Sequence, residues 1–325
     1  MREEDEPLFS RRGALPDDLA RLERALSTLP LPPEPDWDAP PRRERRSPAL
    51  AWAAAAAVLL VAFAGLRLAG DAWRVEPLAG SPSLGGVAFA GRVALGGRVS
   101  TDAHSRARLE VKGLGVVELE PGSVLRRVRG RGSERKLALD HGTLHAFIQA
   151  PPRQFIVETP VGVATDLGCA YTLSLATDGR GRLAVTAGRV TFTRDGLESF
   201  VPAGTWCPLL PAGVGVPRRD YAGDAFLATI AAYDSAPGEA PALERVLSTA
   251  EPSDAITLWH LLPRVTGDAR ARVAARIAEL IEVPADVSRE RVLALEPAAL
   301  DAWWDAIGLG PAAEWRATSP RRSLP

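Results

Sequence analysis

Residues 170–196 read AYTLSLATDGRGRLAVTAGRVTFTRDG, and the class of fold can be inferred from this stretch. Apolar side chains alternate with polar or small ones around two turn sequences, Thr177-Asp178-Gly179 and Arg194-Asp195-Gly196. Alternation with a period of two puts successive side chains on opposite faces of a strand, and glycine after aspartate favours a tight turn. The stretch therefore predicts antiparallel strands with one buried face, which includes Leu183 and Val185.

Runs of the same kind recur along the chain at a spacing of roughly 8–12 residues, which is typical of all-β domains. They cover residues 107–113, 116–123, 136–148, 154–168 and 197–206. Leu109, Val111, Val117 and Leu119 continue the buried face at period two. We expect an all-β domain, either a sandwich or a short solenoid, over residues 80–217.

After residue 217 the apolar residues recur at helical spacing instead. Six segments show this pattern: residues 222–233, 241–250, 253–265, 267–282, 288–295 and 297–309. We expect an all-α C-terminal module over residues 218–316, followed by a disordered tail over residues 317–325. Two roles remain open for this module: it is either an interaction module or a structural cover for the sheet.

An uncharged stretch precedes the β region, ALAWAAAAAVLLVAFAGL at residues 49–66. A helix of this length spans about 27 Å, close to the ~30 Å hydrocarbon core of a bilayer. A buried alanine-rich core helix and a cleaved signal peptide are the alternatives. We expect a transmembrane helix over residues 49–69. The fold class expected on this basis is a single-pass membrane protein with an all-β domain and an all-α module.

The arginines that flank the apolar stretch indicate its orientation. They are Arg42, Arg43, Arg45 and Arg46 before it, and Arg67 and Arg74 after it. The excess on the N-terminal side favours a cytoplasmic N-terminus. We therefore expect the C-terminal domains to lie outside the cytoplasm.

The N-terminal segment, residues 1–48, has one amphipathic helix followed by a proline-rich linker. Its leucines recur at spacings of four, three, four and three residues: Leu15, Leu19, Leu22, Leu26 and Leu29. A single helix of about 14 residues cannot bury such a stripe by itself. The leucines are therefore candidate partner-binding residues, although a weakly ordered helix without a partner remains an alternative.

Several segments of the β region resemble a known family. They are VELEPGSVL (117–125), KLALDHGTLHAFI (136–148), FIVETPVGVATDLGCAYTLSL (155–175) and LAVTAGRVTF (183–192). The phrase TPVGVATDLG is the most specific of them. The run from Arg98 to Val190 resembles the FecR domain of bacterial membrane regulators. Where that family usually has Gly-Thr-x-Phe, this chain has Gly168-Cys-Ala-Tyr171.

The resemblance implies an extracytoplasmic β-rich domain tied by one membrane helix to a cytoplasmic segment. Family members commonly pass a signal to a cytoplasmic sigma factor, as anti-sigma or sigma-activating proteins. The implied partners are thus a sigma factor at the tail and an extracytoplasmic protein or glycan as ligand. The alternative is an extracytoplasmic binding or envelope-scaffold protein with a simple membrane anchor.

Composition and motifs argue against other classes of function. Lys plus Arg number 39 and Asp plus Glu 40, so the chain lacks the basic excess of a nucleic-acid binder. We expect no enzyme, no cofactor and no metal site, because no G-x-S-x-G motif or phosphate loop is present. His141 and His145 would share one face of a strand, but no third metal ligand accompanies them.

The chain has two cysteines, Cys169 and Cys207, and both follow the predicted membrane helix. Disulfides persist outside the cytoplasm, which makes a bridge between them a candidate. Two separate buried thiols, each acting as a small apolar side chain, are the alternative.

Overall fold

The computed structural model describes residues 17–28, 72–85, 87–88, 91–211, 213–285 and 287–313. Helix α1 spans Asp17–Ser27. The described strands are β1 (Trp73–Ala79), β2 (Ser83–Leu84), β3 (Val87–Ala88), β4 (Arg92–Val93), β5 (Arg98–Ser100), β6 (Arg106–Val111), β7 (Gly115–Leu119), β8 (Val124–Val128), β9 (Arg135–Ile148), β10 (Phe155–Thr159), β11 (Gly162–Asp166), β12 (Ala170–Leu175), β13 (Gly181–Ala187), β14 (Arg189–Arg194), β15 (Leu197–Pro202), β16 (Thr205–Leu210), β17 (Gly213–Val214) and β18 (Arg218–Arg219).

Apart from β4, which pairs with the first residues of β1, these strands form two sheets that share β9. The first sheet has the order β1-β6-β7-β9-β12-β13-β16, and β17 and β18 both pair with β16. The second sheet has the order β3-β2-β5-β8-β9-β10-β11-β14-β15. Among the described pairings, only β9 with β10 is parallel. The hairpins β6–β7 and β12–β13 lie in the first sheet, and the hairpins β8–β9, β10–β11 and β14–β15 lie in the second.

The change of sheet occurs within β9 at Gly142. His141 is the last residue that pairs with β8 in the second sheet, and Gly142 is the first that pairs with β12 in the first sheet. Gly142 has φ +102°, a conformation that side chains disfavour. A Cβ atom at this position would lie 2.3 Å from the Cα atom of Ser123. Glycine is therefore required where the strand crosses.

One hydrophobic core lies between the two sheets, as in a sandwich. Leu109, Val117, Leu183 and Val185 are buried in it, which confirms the period-two prediction for these side chains. The second sheet contributes residues such as Leu125, Leu137, Val157 and Phe192. The β region begins at Trp73, earlier than the expected residue 80, and Trp73 and Val75 belong to the same core.

Six described helices follow the sheets. They are α2 (Asp224–Ser235), α3 (Ala240–Thr249), α4 (Ala255–Leu261), α5 (Gly267–Leu280), α6 (Arg289–Leu293) and α7 (Pro297–Ile307). The Ser288 side chain accepts a hydrogen bond from the Arg291 N–H and caps α6, as a serine at this position predicts. The helices enclose a second core, which also includes Phe200 of β15 and Val216. The module therefore packs against the sandwich.

The prediction of a single-pass membrane protein as the fold class is wrong for the structure as described. Across the described ranges, no helix is both long and apolar enough to cross a membrane. The longest of them, α5, has 14 residues and carries charged side chains, whereas a crossing takes about 20 apolar residues. The predicted span, residues 49–69, lies outside the described residues, as do the proline-rich linker and residues 317–325.

We predict that Gly142→Ala lowers the free energy of unfolding by about 4 kcal/mol or more, because strain and a backbone clash add together. Gly196→Ala is the matched control, since Gly196 also has φ +83° but open space around its Cα. That variant should lose only about 1–2 kcal/mol. Denaturant unfolding of both variants measures the difference. Equal losses would show that the crossing does not need a glycine.

Candidate functional site

The predicted leucine stripe falls partly on helix α1. Leu19, Leu22 and Leu26 are 49%, 56% and 57% exposed. Their spacing of three and four residues places them on one face of the helix. Leu15 and Leu29 lie outside the described residues. The structure therefore brings three of the five candidate residues together as an exposed apolar face.

The two paired histidines of the sequence do not meet. His141 pairs in the second sheet, whereas His145 pairs with Glu118 and Thr172 in the first, because β9 crosses between them. His145 Nε2 lies 3.2 Å from the Glu120 carboxylate, and its Nδ1 lies 2.9 Å from the Thr172 hydroxyl. Within the described ranges no group of three His, Cys, Asp or Glu residues is arranged to hold a metal ion.

The outer face of the first sheet carries a row of ion pairs. Arg106 lies 2.6 Å from Glu120, and Arg108 lies 2.6 Å from Glu118. Cross-strand pairs of this kind are partly solvated and contribute little to stability. These ion pairs are enough to explain why charged side chains occur along β6 and β7.

A buried polar cluster lies at the end of β11. The Asp166 carboxylate accepts hydrogen bonds from the Gly168 N–H and from the Cys169 thiol. Asp166 is only 1% exposed. Tyr171 is buried nearby, and its hydroxyl has no hydrogen-bond partner among the described residues. Leu167, within the same turn, packs against the helical module, so the cluster lies where the two cores adjoin.

Burial determines the protonation of this cluster. Removal from water raises the pKa of Asp166 to about 6, although its two hydrogen bonds act in the opposite direction. Burial also raises the pKa of the Cys169 thiol well above its usual range. The thiol therefore stays protonated and is not a nucleophile. The cluster can bind and release a proton, but it has no catalytic arrangement.

The structure does not contain the candidate disulfide, because Cys169 and Cys207 are both free, buried thiols. Cys207 pairs with Leu183 in β13, and Cys169 precedes β12, which lies on the other side of β13. Two strand spacings amount to about 10 Å, more than the ~7 Å that a disulfide allows between Cα atoms. The Cys207 thiol instead donates to the Gly215 carbonyl at 3.2 Å.

His260 of α4 binds the edge of the second sheet. The strand β15 pairs only with β14 among the described strands. The Phe200 N–H of β15 donates to His260 Nε2 at 3.1 Å, and His260 Nδ1 donates to the Ile256 carbonyl at 2.8 Å. Burial lowers the pKa of His260 to about 3 and keeps the ring neutral, as this acceptor role requires. The module therefore covers a sheet edge.

Two arginines that the sequence reading did not single out complete this junction. Arg264 donates to the Val214 carbonyl at 2.8 Å and to the Ser199 hydroxyl at 2.5 Å. Arg218 forms a buried ion pair with Asp234 of α2. No local sequence signal distinguishes these residues from the many exposed arginines, because their partners are distant in sequence.

Comparison with known families identifies the centre of the β region. Residues 97–191 match the family described as FecR protein. The chain contains a FecR domain. The match extends from β5 into β14 and includes the crossing strand β9, whereas β15 to β18 and the helical module follow it. A comparison with curated proteins finds no match.

Comparison with solved structures gives partial matches. Two crystal structures of a candidate anti-sigma factor from Parabacteroides distasonis ATCC 8503, at 1.65 and 2.50 Å resolution, are each 14% identical to this chain with a TM-score of 0.33. The alignments cover 41% of this chain and 63% or 62% of the other chain. The chain thus matches less than two thirds of the length of those proteins.

We predict that Asp166 makes stability fall as pH rises from about 4 to 6. In this window the folded state keeps a proton that the unfolded chain, with a pKa near 3.8, has released. The unfavourable contribution reaches about 3 kcal/mol above pH 6. Asp166→Asn removes it, so the variant should gain about this much relative to the native chain between pH 4 and 7. Parallel stability curves would contradict the assignment.

We also predict that His260→Ala lowers the free energy of unfolding by about 2–4 kcal/mol. The change leaves the Phe200 N–H without an acceptor and opens a cavity in the module. His104→Ala is the control, because His104 is an exposed turn residue and its loss should be nearly neutral. Thermal unfolding compares the two, and a neutral His260→Ala would show that the edge needs no cap.

Proposed function

We propose that the protein is a FecR-like regulatory protein that acts by binding rather than by catalysis. Its partner is a sigma factor, which binds the exposed leucine face of helix α1. The FecR domain at residues 97–191 supports the regulatory assignment. The sigma factor is the partner that this family resemblance implies.

The exposed leucine face carries the proposal. Three leucines about half exposed on an 11-residue helix place apolar surface in water, which is unfavourable. A helix of this length is also marginally stable alone. Insertion into an apolar groove of a partner removes both costs, with residues at i, i+3 and i+7 as anchors. Leu19, Leu22 and Leu26 have this spacing.

The test is co-purification of the full chain from the bacterium that encodes it, with sigma factors identified by mass spectrometry. Leu22→Asp places a charge in the centre of the apolar face. The loss of affinity should be roughly tenfold to hundredfold, on the order of 1–3 kcal/mol, because a buried leucine is replaced by a desolvated carboxylate.

Ala20→Asp is the matched control. It adds the same charge to the same helix, but about 200° around the axis from Leu22. A sigma factor should therefore co-purify with the native chain and with Ala20→Asp, and be lost with Leu22→Asp. Equal recovery with all three chains, or the absence of any sigma factor, would contradict the proposal. The latter result would favour a binding or scaffold protein that does not use α1.

A further inference from the structure

A groove of about 280 Å³ lies on the outer face of the second sheet. It runs across β8 to β11, on the face opposite the hydrophobic core. Its lining includes Arg126, Ala138, Asp140, Glu158, Pro160 and Val163. The helical module, the leucine face of α1 and the buried Asp166 cluster all involve other residues, so the groove is separate from the features described above.

The strand register explains why a groove forms here. Arg126 pairs with Ala138, Ala138 pairs with Glu158, and Glu158 pairs with Val163. These four residues therefore form one row across the sheet. Ala138 is the smallest of them and lies between two long side chains whose strands are about 10 Å apart. The small residue is the floor, and the long side chains are the walls.

Each wall exposes one charged group, Arg126 or Glu158, and each of these is already paired within the chain. Arg126 uses its Nε and Nη2 atoms to bind Asp140, at 2.9–3.2 Å, and this leaves Nη1 outside the pair. On the other wall, Glu158 lies 2.6 Å from Lys136. The Arg126 and Glu158 side chains are 46% and 40% exposed, so both remain accessible to a ligand.

The wall at Glu158 is held rigid by the turn that follows it. The Thr159 hydroxyl donates to the Gly162 carbonyl at 2.8 Å and accepts from the Val161 N–H at 3.3 Å. A Cβ atom at Gly162 would lie 2.5 Å from the Phe192 ring, so the turn packs closely on the core. Thr159 to Val163 belong to TPVGVATDLG, the most specific phrase of the FecR resemblance, and the proposed function does not use it.

We propose that this groove binds a small zwitterion of the amino-acid or short-peptide class. Its carboxylate faces Arg126 and its ammonium group faces Glu158. A dipolar ion can add a charge-assisted hydrogen bond to the exposed guanidinium at one end and to the exposed carboxylate at the other, and these two bonds fix its direction. Ala138, Pro160 and Val163 provide apolar contact for the carbon skeleton. The volume lies just under the ~300 Å³ lower limit of common ligand sites, so the ligand is small.

The test is a titration of the full chain with the tripeptide Ala-Ala-Ala, in which calorimetry or NMR measures binding. We expect saturable binding with a dissociation constant of about 1 mM or lower. The N-acetylated and the C-amidated tripeptides each lack one charge, and each should bind at least about tenfold more weakly. Equal binding of the blocked peptides, or no saturation by about 10 mM peptide, would overturn the proposal.

Two variants locate the binding. Ala138→Leu fills the floor without changing a charge, and Glu158→Gln removes the partner of the ammonium group; each should abolish saturation in this range. Arg108→Gln, on the outer face of the first sheet, is the control and should bind normally. Thermal unfolding checks that all three variants fold. Binding that survives both groove variants in folded protein would place the site elsewhere and refute the proposal. The α1 variants should have no effect, so this result is independent of the proposed function.

Discussion

Strand β9 must hydrogen-bond within two sheets, and the rest of the β domain depends on how it does so. Its first half pairs with β8 and β10, and its second half pairs with β7 and β12. The strand can change sheets only where the backbone turns without a side chain, and Gly142 meets this requirement against Ser123. Every hairpin before and after β9 is thereby assigned to one sheet or the other. The shared core is a consequence of this crossing.

The helical module covers an edge of the second sheet. An unpaired strand edge exposes N–H groups that can join another chain. At β15 the Phe200 N–H is bound by His260, and the Phe200 ring packs edge-on against Trp304 at 5.0 Å. The buried contacts of Arg264 and the Arg218–Asp234 pair add polar links across the same junction. Of the two roles expected for the module, these contacts support the structural cover.

The sequence predicts the regular parts of this fold well. The alternation around residues 170–196 and the helical spacing after residue 217 correspond to observed strands and helices, because both depend on local periodicity. Strand β1 lies before the expected start of the domain. The sequence does not predict it, because Pro77 interrupts the alternation of apolar and polar residues. Trp259 and Trp304 are buried in the core of the helical module.

The candidate sites were less predictable, because they depend on contacts between distant residues. The separation of His141 from His145 follows from the crossing at Gly142, which the sequence does not signal. Cys207 lies in β16 and Cys169 lies just before β12, on opposite sides of β13, a topology that spacing alone cannot give. The groove requires the register of four strands. Only the leucine stripe was visible in the sequence, because a helix places residues three and four apart on one face.

Amide hydrogen exchange of the full chain is the most direct test of two claims. The first is that the sandwich and the helical module unfold as one cooperative unit, and the second is that helix α1 exposes its leucine face. The account predicts that both halves of β9 and helix α4 exchange through the same global opening, with one common free energy. It also predicts that the amides of α1 exchange far faster, since its leucine face is exposed in the absence of a partner. Different opening free energies for β9 and α4, or slow exchange in α1 without a partner, would contradict it.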